Sequence, residues 1–258
     1  MGSVVELPVD ASWAVGLLLG MIRVAAFAIA SPIVGRAVPM QARIAFTVAV
    51  ALAIARPVDG VLEVGDLIAA GTVNALVGGA LGYVTGLIIH LFTTAGGVVD
   101  IFSGLAVATI FDPMQGDQGG VFARLFHITA LTMFLVGGGL VLIVGGLAGS
   151  VRVLPLEAAL APQPGLTGLV VEIVSQLVRA GVELALPVIG VLLMLELTLG
   201  LASRFAPQAN VFLLGLPAKI FAAMTVVGSA WVLFPDAVAT VEETMGRSFG
   251  AVLRGLGA

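Results

Sequence analysis

Four polar residues within one apolar tract are the first whose spacing suggests a chemical task. Glu172, Gln176, Arg179 and Glu183 lie at offsets of four, seven and eleven. In a helix of 3.6 residues per turn, those offsets place all four on one face. Such a stripe has two readings. It faces a polar conduit or a partner subunit, or it holds an internal Arg179–Glu183 pair with the remainder acting as glue between membrane helices. Arg23, Asp100 and Glu196 are also charged residues inside apolar runs, each solitary in its stretch of sequence. An ionisable group at the centre of a bilayer costs at least about 2.5–3.5 kcal/mol, so each requires a partner or a wet cavity. A proton relay would use such groups, but no continuous series of carboxylates is visible, and pairing with another helix or another chain is the expectation. Lys219 follows Pro217 closely, and its stem is long enough to snorkel to an interface if its helix is shallow. His127, near Arg124, reads as structural.

Other chemistries lack their residues. The chain has no cysteine, which removes disulfides, thiol nucleophiles and iron–sulfur clusters. Its two histidines, His90 and His127, are too few for a histidine-rich metal site. No H-E-x-x-H, G-x-S-x-G or P-loop occurs, and neither histidine stands beside a serine-bearing glycine motif, so the expectation is no enzyme and no cofactor. Eleven basic against 15 acidic residues give a formal charge of −4, without the concentrated basic face that nucleic acid demands.

The elements that position these groups are read from hydropathy. The chain of 258 residues is 60% hydrophobic and only 10% charged, with a mean hydropathy of +1.18, where a soluble domain is roughly 25% charged. A membrane-spanning helix takes about 20 apolar residues, so there is room for about five to seven. The first is expected from about Ala11 to Ser31, ending at Pro32, and the second after Gln41, stopping at Arg56-Pro57. No basic residue precedes Arg23, so the first segment reads as retained structure rather than a cleaved signal. Val58 to Asp66 reads as a solvated turn. The tract Leu67 to Phe111 is too long for one span and is expected to bend, with Thr93 to Gly97 as the break. Asp112 to Gly120 is a loop. Val121 to Gly149 is helical, interrupted at Gly137–Gly139 and at Gly145–Gly146, and Ser150 to Gly165 is a second loop. Leu166 to Ser203 carries an internal Pro187. After a turn over Arg204 to Asn210, a last apolar stretch runs from Val211 to Phe234, followed by a mildly amphipathic tail. Gly78, Gly82 and Gly86 form a small-xxx-small face that lets helix backbones approach closely. The whole reads as a single all-α, polytopic membrane domain over residues 1–258. Its many broken helices suit a protein buried among partners, because irregular backbone at membrane depth persists only where protein or water surrounds it.

The irregular segments carry a resemblance. Arg23, Ser31-Pro32-Ile-Val-Gly35, Val38-Pro39 and Arg43 come first. Ala95-Gly96, Gly104 and Asp112-Pro113 follow, then Ser150 with Pro155. Last come Leu184-Ala-Leu-Pro187, Gly200, Ser203-Arg204, Ala206-Pro207-Gln208-Ala-Asn210-Val-Phe212, Gly215, Pro217 and Lys219. In this order and over nearly the whole chain, they resemble the FliR family of type III secretion export-gate subunits. The pattern departs at Gly137-Gly-Gly139, where the family often shows an Asn-Gly-His triplet.

The resemblance implies kinked helical hairpins built into a helical export-gate assembly in the bacterial inner membrane, within the flagellar basal body. It implies homologues of FliP and FliQ as partners, FlhB and FlhA homologues as neighbours, lipid around the outside, and unfolded proteins as the substrates of a central channel. By position, Asp112, Pro113, Met114, Gln115, Gly116, Asp117, Gln118, Gly119 and Gly120 correspond to the family's pore-plugging loop. Arg23, Glu172, Arg179, Glu183, Arg204, Gln208, Asn210 and Lys219 are the candidates for polar contacts between helices or subunits. The alternative is a small-solute or ion secondary transporter, which also uses broken helices and midplane charges. Such transporters usually carry an internal repeat, and none is visible.

Overall fold

The computed structural model describes residues 11–35, 38–58, 64–106, 119–158, 166–205 and 211–255. Among these, every regular element is a helix: α1 (Ala11–Ala30), α2 (Pro32–Gly35), α3 (Met40–Ile54), α4 (Val64–Ser103), α5 (Val121–Val136), α6 (Gly139–Val153), α7 (Leu166–Phe205), α8 (Val211–Ala230) and α9 (Phe234–Gly255), with one 3-10 turn at Trp231–Leu233. In hydrocarbon each backbone N–H and C=O must be satisfied within its own segment, and a helix achieves that. Among the described residues, three helices are long and apolar enough to cross a membrane, in α1, α4 and α7 (Val171–Phe205); counting the broken pairs α5–α6 and α8–α9 as one span each gives five.

The chain forms two compact units, one of Met1–Gly86, Leu140–Val171 and Met245–Ala258, the other of Leu87–Gly139 and Glu172–Thr244. In the first, α1 packs on α3 and on the N-terminal half of α4. Glycines set both distances. A Cβ on Gly16 would fall 1.9 Å from the carbonyl oxygen of Arg56, and one on Gly78 would fall 2.0 Å from that of Arg23. A Cβ on Gly82 would fall 2.6 Å from the carbonyl oxygen of Phe27 and one on Gly86 3.1 Å from the ring of Pro32, so the small-residue face of α4 is turned towards α1 and α2. Ile143 and Leu147 of α6 are fully buried, and Gly146 accommodates the ring of Phe249.

In the second unit the C-terminal half of α4 packs against α5 and α7. Phe92 and Phe126 each place a ring 5.3 Å from Phe234, at the start of α9. Buried Phe234, Val238 and Val241 recur at intervals of four and three along this part of α9. What reads as a mildly amphipathic tail is therefore a 22-residue helix with a continuous apolar stripe.

Several boundaries differ from the sequence expectation. α4 continues unbroken through Thr93–Gly97 for 40 residues, about 60 Å at 1.5 Å per residue. The residues there do not need a break: Thr93 Oγ1 donates to the carbonyl of Ile89 at 3.2 Å, and Gly96 is where α5 comes close. Its Cβ would lie 2.4 Å from the carbonyl oxygen of Phe122. α4 also begins earlier, at Val64, so Asp66 belongs to its first turn, where negative charge complements the helix dipole. α6 runs to Val153, so Ser150 is a buried helical residue rather than the start of a loop, and Gly145–Gly146 does not interrupt it. The break at Gly137–Gly139 is present, with Gly138 at φ +98, a conformation that glycine adopts without a Cβ penalty. Pro187 lies within a continuous α7.

Candidate functional site

Arg23 is fully buried in α1 and holds two other stretches of chain through three acceptors. Its Nε donates to Asn74 Oδ1 of α4 at 2.8 Å, Nη1 to Ser150 Oγ of α6 at 3.0 Å, and Nη2 to the carbonyl of Leu154, just past α6, at 3.0 Å. The acceptors are themselves fixed. Asn74 Nδ2 donates to the carbonyls of Ala70 and Leu156, both at 2.7 Å, and Ser150 Oγ donates to that of Leu147 at 2.7 Å. The acceptors are thus an amide, a hydroxyl and a carbonyl, and the flat guanidinium, with five N–H groups in a fixed fork, serves all three at once. The partners are not obvious from sequence, but one signal exists: Asn74 is an amide in an apolar run and heads the series Asn74, Gly78, Gly82, Gly86 at four-residue spacing.

Asp100, near the end of α4, is not solitary either. Its Oδ1 accepts from the N–H of Phe122 at 2.9 Å and its Oδ2 from that of Ala123 at 2.8 Å. These belong to the first turn of α5, whose N–H groups have no intrahelical acceptor. Of the Asp112–Gly120 segment, Gly119 (φ +66) and Gly120 are described and lead directly into α5; Asp112 to Gln118 lie outside the described residues. His127 Nδ1 of α5 shares a hydrogen bond with Thr93 Oγ1 at 3.1 Å.

The stripe on α7 is arranged in two local pairs. Arg179 Nε donates to Glu183 Oε1 at 2.8 Å, and Gln176 Nε2 donates to Glu172 Oε1 at 3.2 Å. The Arg179 and Glu183 side chains are 82% and 57% exposed. The opposite side of the same stretch of α7 meets α4, where Leu91, Thr94 and Val98 with Val178, Gly181 and Ala185 help line an apolar cleft of about 170 Å³. The stripe therefore points away from this packing. Further along, the outward residues Met194, Leu197 and Leu201 are exposed and apolar. Lys219 of α8 forms an ion pair with Glu196 of α7 beside a cleft of about 200 Å³ that Ser203 and Gly215 also line. Arg204 is exposed in the last turn of α7, while Gln208 and Asn210 lie outside the described residues. Among the described residues, no group of three or more potential metal ligands comes together.

The structure thus offers a buried cation knot, a carboxylate holding a helix start, and a long exposed helix bearing paired charges. Comparison with known proteins gives this arrangement a family. Residues 14–245 match the bacterial export proteins, family 1. The chain belongs to that family. Among proteins similar to this bacterial export protein are the flagellar biosynthetic protein FliR of Pectobacterium carotovorum, 33% identical over 62% of this chain and 61% of the relative, and FliR of Bacillus subtilis, 29% identical over 79% and 81%. The surface presentation of antigens protein SpaR of Shigella flexneri is 30% identical over 59% of this chain and 58% of its own. The chain thus spans about three fifths of the Pectobacterium and Shigella relatives, and about four fifths of the Bacillus one. The family and the apolar helices together make it a membrane protein of a bacterial export system.

Proposed function

We propose that this export-family member is a core subunit of the flagellar type III export gate. In this reading it builds, with FliP and FliQ homologues and beside FlhB and FlhA homologues, the channel by which unfolded flagellar proteins cross the inner membrane. The observation that carries the reading is the outward side of α7. A helix long enough to span the bilayer leaves Glu172, Gln176, Arg179 and Glu183 exposed on one face, and Met194, Leu197 and Leu201 exposed beyond them. Charged groups facing lipid are costly even when paired, so this face belongs against other protein or a wet lumen. Flagellar rather than virulence-type secretion follows the names of the Pectobacterium and Bacillus relatives. A secondary transporter would not account for the family match over residues 14–245.

Within this reading, the segment Asp112–Gly120 seals the resting channel and yields to substrate. Gly116, Gly119 and Gly120 impose few backbone restraints, and the segment sits between the long α4 and the start of α5. Native mass spectrometry of the tagged chain, extracted in mild detergent from cells expressing the neighbouring export genes, tests the assembly. One copy held with several FliP- and FliQ-like chains is the expected result; a lone monomer or homodimer would reject it. Deleting Met114 to Gly119 is expected to raise ion leak through the assembled gate, and unchanged conductance would remove the sealing role.

A further inference from the structure

Three consecutive glycines separate α5 from α6, and each is small for its own reason. Gly138 takes φ +98, which costs glycine nothing. A Cβ on Gly139 would lie 2.3 Å from the ring of Phe134. One on Gly137 would lie 2.9 Å from Oε1 and 3.4 Å from Oε2 of Glu242, and 3.0 Å from the carbonyl oxygen of Met133. Gly137 thus makes room for a carboxylate that α9 lays against the last turn of α5. Its Oε1 is buried and has no hydrogen-bond partner among the described residues. The setting is electrically wrong for a bare carboxylate. The last carbonyls of a helix lack partners within it, and that end carries about half a negative charge. No base on either helix is placed to offset this. The ionisable residues of α5, Arg124 and His127, precede Gly137 by thirteen and ten positions, at least about 15 Å along the helix. On α9 the positions one turn either side of Glu242 are Val238, Ala239, Met245 and Gly246, while the charged Asp236, Glu243 and Arg247 are exposed.

We infer that Glu242 and the end of α5 form a binding site for a monovalent cation, a proton or sodium. A proton makes the carboxyl a donor to a carbonyl of the last turn. Sodium takes oxygen ligands from the carboxylate and the same carbonyls. Either supplies the positive charge that the two elements lack, and ties α9 to the glycine break. Carboxylates combined with the C-terminal ends of broken helices serve these two cations elsewhere in membrane proteins. Glutamine at this position keeps the shape and a donor but binds neither cation. The site stands whether or not the chain lines a channel.

The test uses the full chain co-purified with its partner subunits, with dicyclohexylcarbodiimide as the probe. This apolar reagent reacts with a protonated carboxyl. The carboxyl proton goes to one carbodiimide nitrogen, the oxygen adds to the central carbon, and the acyl group then migrates to nitrogen to leave a stable N-acylurea. Peptide mass mapping at neutral pH should find Glu242 labelled several-fold faster than exposed Glu243. If sodium is the occupant, sodium chloride slows that labelling relative to choline chloride at equal ionic strength and pH; if it is a proton, the two salts give equal rates. Gly137→Ala pushes the carboxylate off the helix end and should bring Glu242 down to the rate of Glu243, with subunit composition by native mass spectrometry unchanged. Labelling of Glu242 no faster than that of Glu243 in the wild-type chain overturns the site. So does fast labelling that survives Gly137→Ala in a complex that still assembles. Should Gly137→Ala fail to assemble, thermal stability decides. A gain on adding sodium or on mild acidification that Glu242→Gln abolishes supports the site, and an equal gain in both chains overturns it.

Discussion

Replacing Arg23 by methionine keeps much of the side-chain volume while removing every donor. Two acceptors lose their partner, Asn74 Oδ1 and the carbonyl of Leu154, whereas Ser150 Oγ keeps its bond to the carbonyl of Leu147. An orphaned buried polar group costs about 1–3 kcal/mol, so the pair costs roughly 2–6 kcal/mol, with about 4 as a central figure. For a chain of this size the central figure corresponds to a fall of roughly 8–16 °C in apparent melting temperature. Arg23→Lys keeps the charge but, with a single ammonium, cannot span three acceptors on two separate stretches, and falls between wild type and methionine. Arg179→Met is the matched control, another arginine in an apolar helix but 82% exposed and in a local pair. An exposed pair is worth at most about 1 kcal/mol. The assay is the fraction of detergent-extracted protein that remains monodisperse on size exclusion after heating, with all variants heated at one rate because unfolding of such proteins is irreversible. If Arg23→Met melts within about 2 °C of Arg179→Met, the three buried hydrogen bonds do not hold the first unit together and the argument is wrong.

Two further outcomes follow from the packing. Gly78→Val drives a side chain into the carbonyl of Arg23, 2.0 Å from the position of its Cβ, whereas Gly79 has nothing within 4 Å. Gly78→Val should therefore abolish accumulation of the folded chain while Gly79→Val is tolerated, as read by protease resistance in membranes; equal behaviour would refute the close approach of α1 and α4. Reversing the exposed pair (Arg179→Glu with Glu183→Arg) conserves its local attraction and should shift apparent melting of the isolated chain by no more than a few degrees. The same double change should reduce the yield of the multi-subunit complex several-fold, because the exposed charge pattern would no longer match the opposing surface; undiminished assembly would show that this face contacts no ordered partner.

Composition and the long apolar runs together determined that the protein is helical and membrane-bound: 60% hydrophobic residues and 10% charged ones leave no other solvent for it, and uninterrupted apolar stretches of about 20 residues satisfy their backbone in hydrocarbon as helices. Local spacing was equally legible where the interaction is local. Arg179 and Glu183 are one turn apart and pair as their offset requires, and Gly78 and Gly82 face a neighbouring backbone as their four-residue spacing implies. The break at Gly137–Gly139 was readable because three consecutive glycines lower the cost of a left-handed residue. The glycines at Gly96–Gly97 looked equally like a break. Only the tertiary structure decided that Gly96 makes room for α5, since a glycine that bends a helix and one that admits another backbone are the same letter.

The partners of the buried charges were out of reach for the same reason. Arg23 bonds to residues 51, 127 and 131 positions away, and Asp100 to backbone groups 22 and 23 residues on. A lone charge in an apolar run announces that it needs a partner, because the bilayer makes an unsatisfied one costly. Which group answers depends on how the helices are laid against one another. No periodicity within a single helix records that, because the contact joins residues whose separation in sequence is set by loops and not by helical geometry.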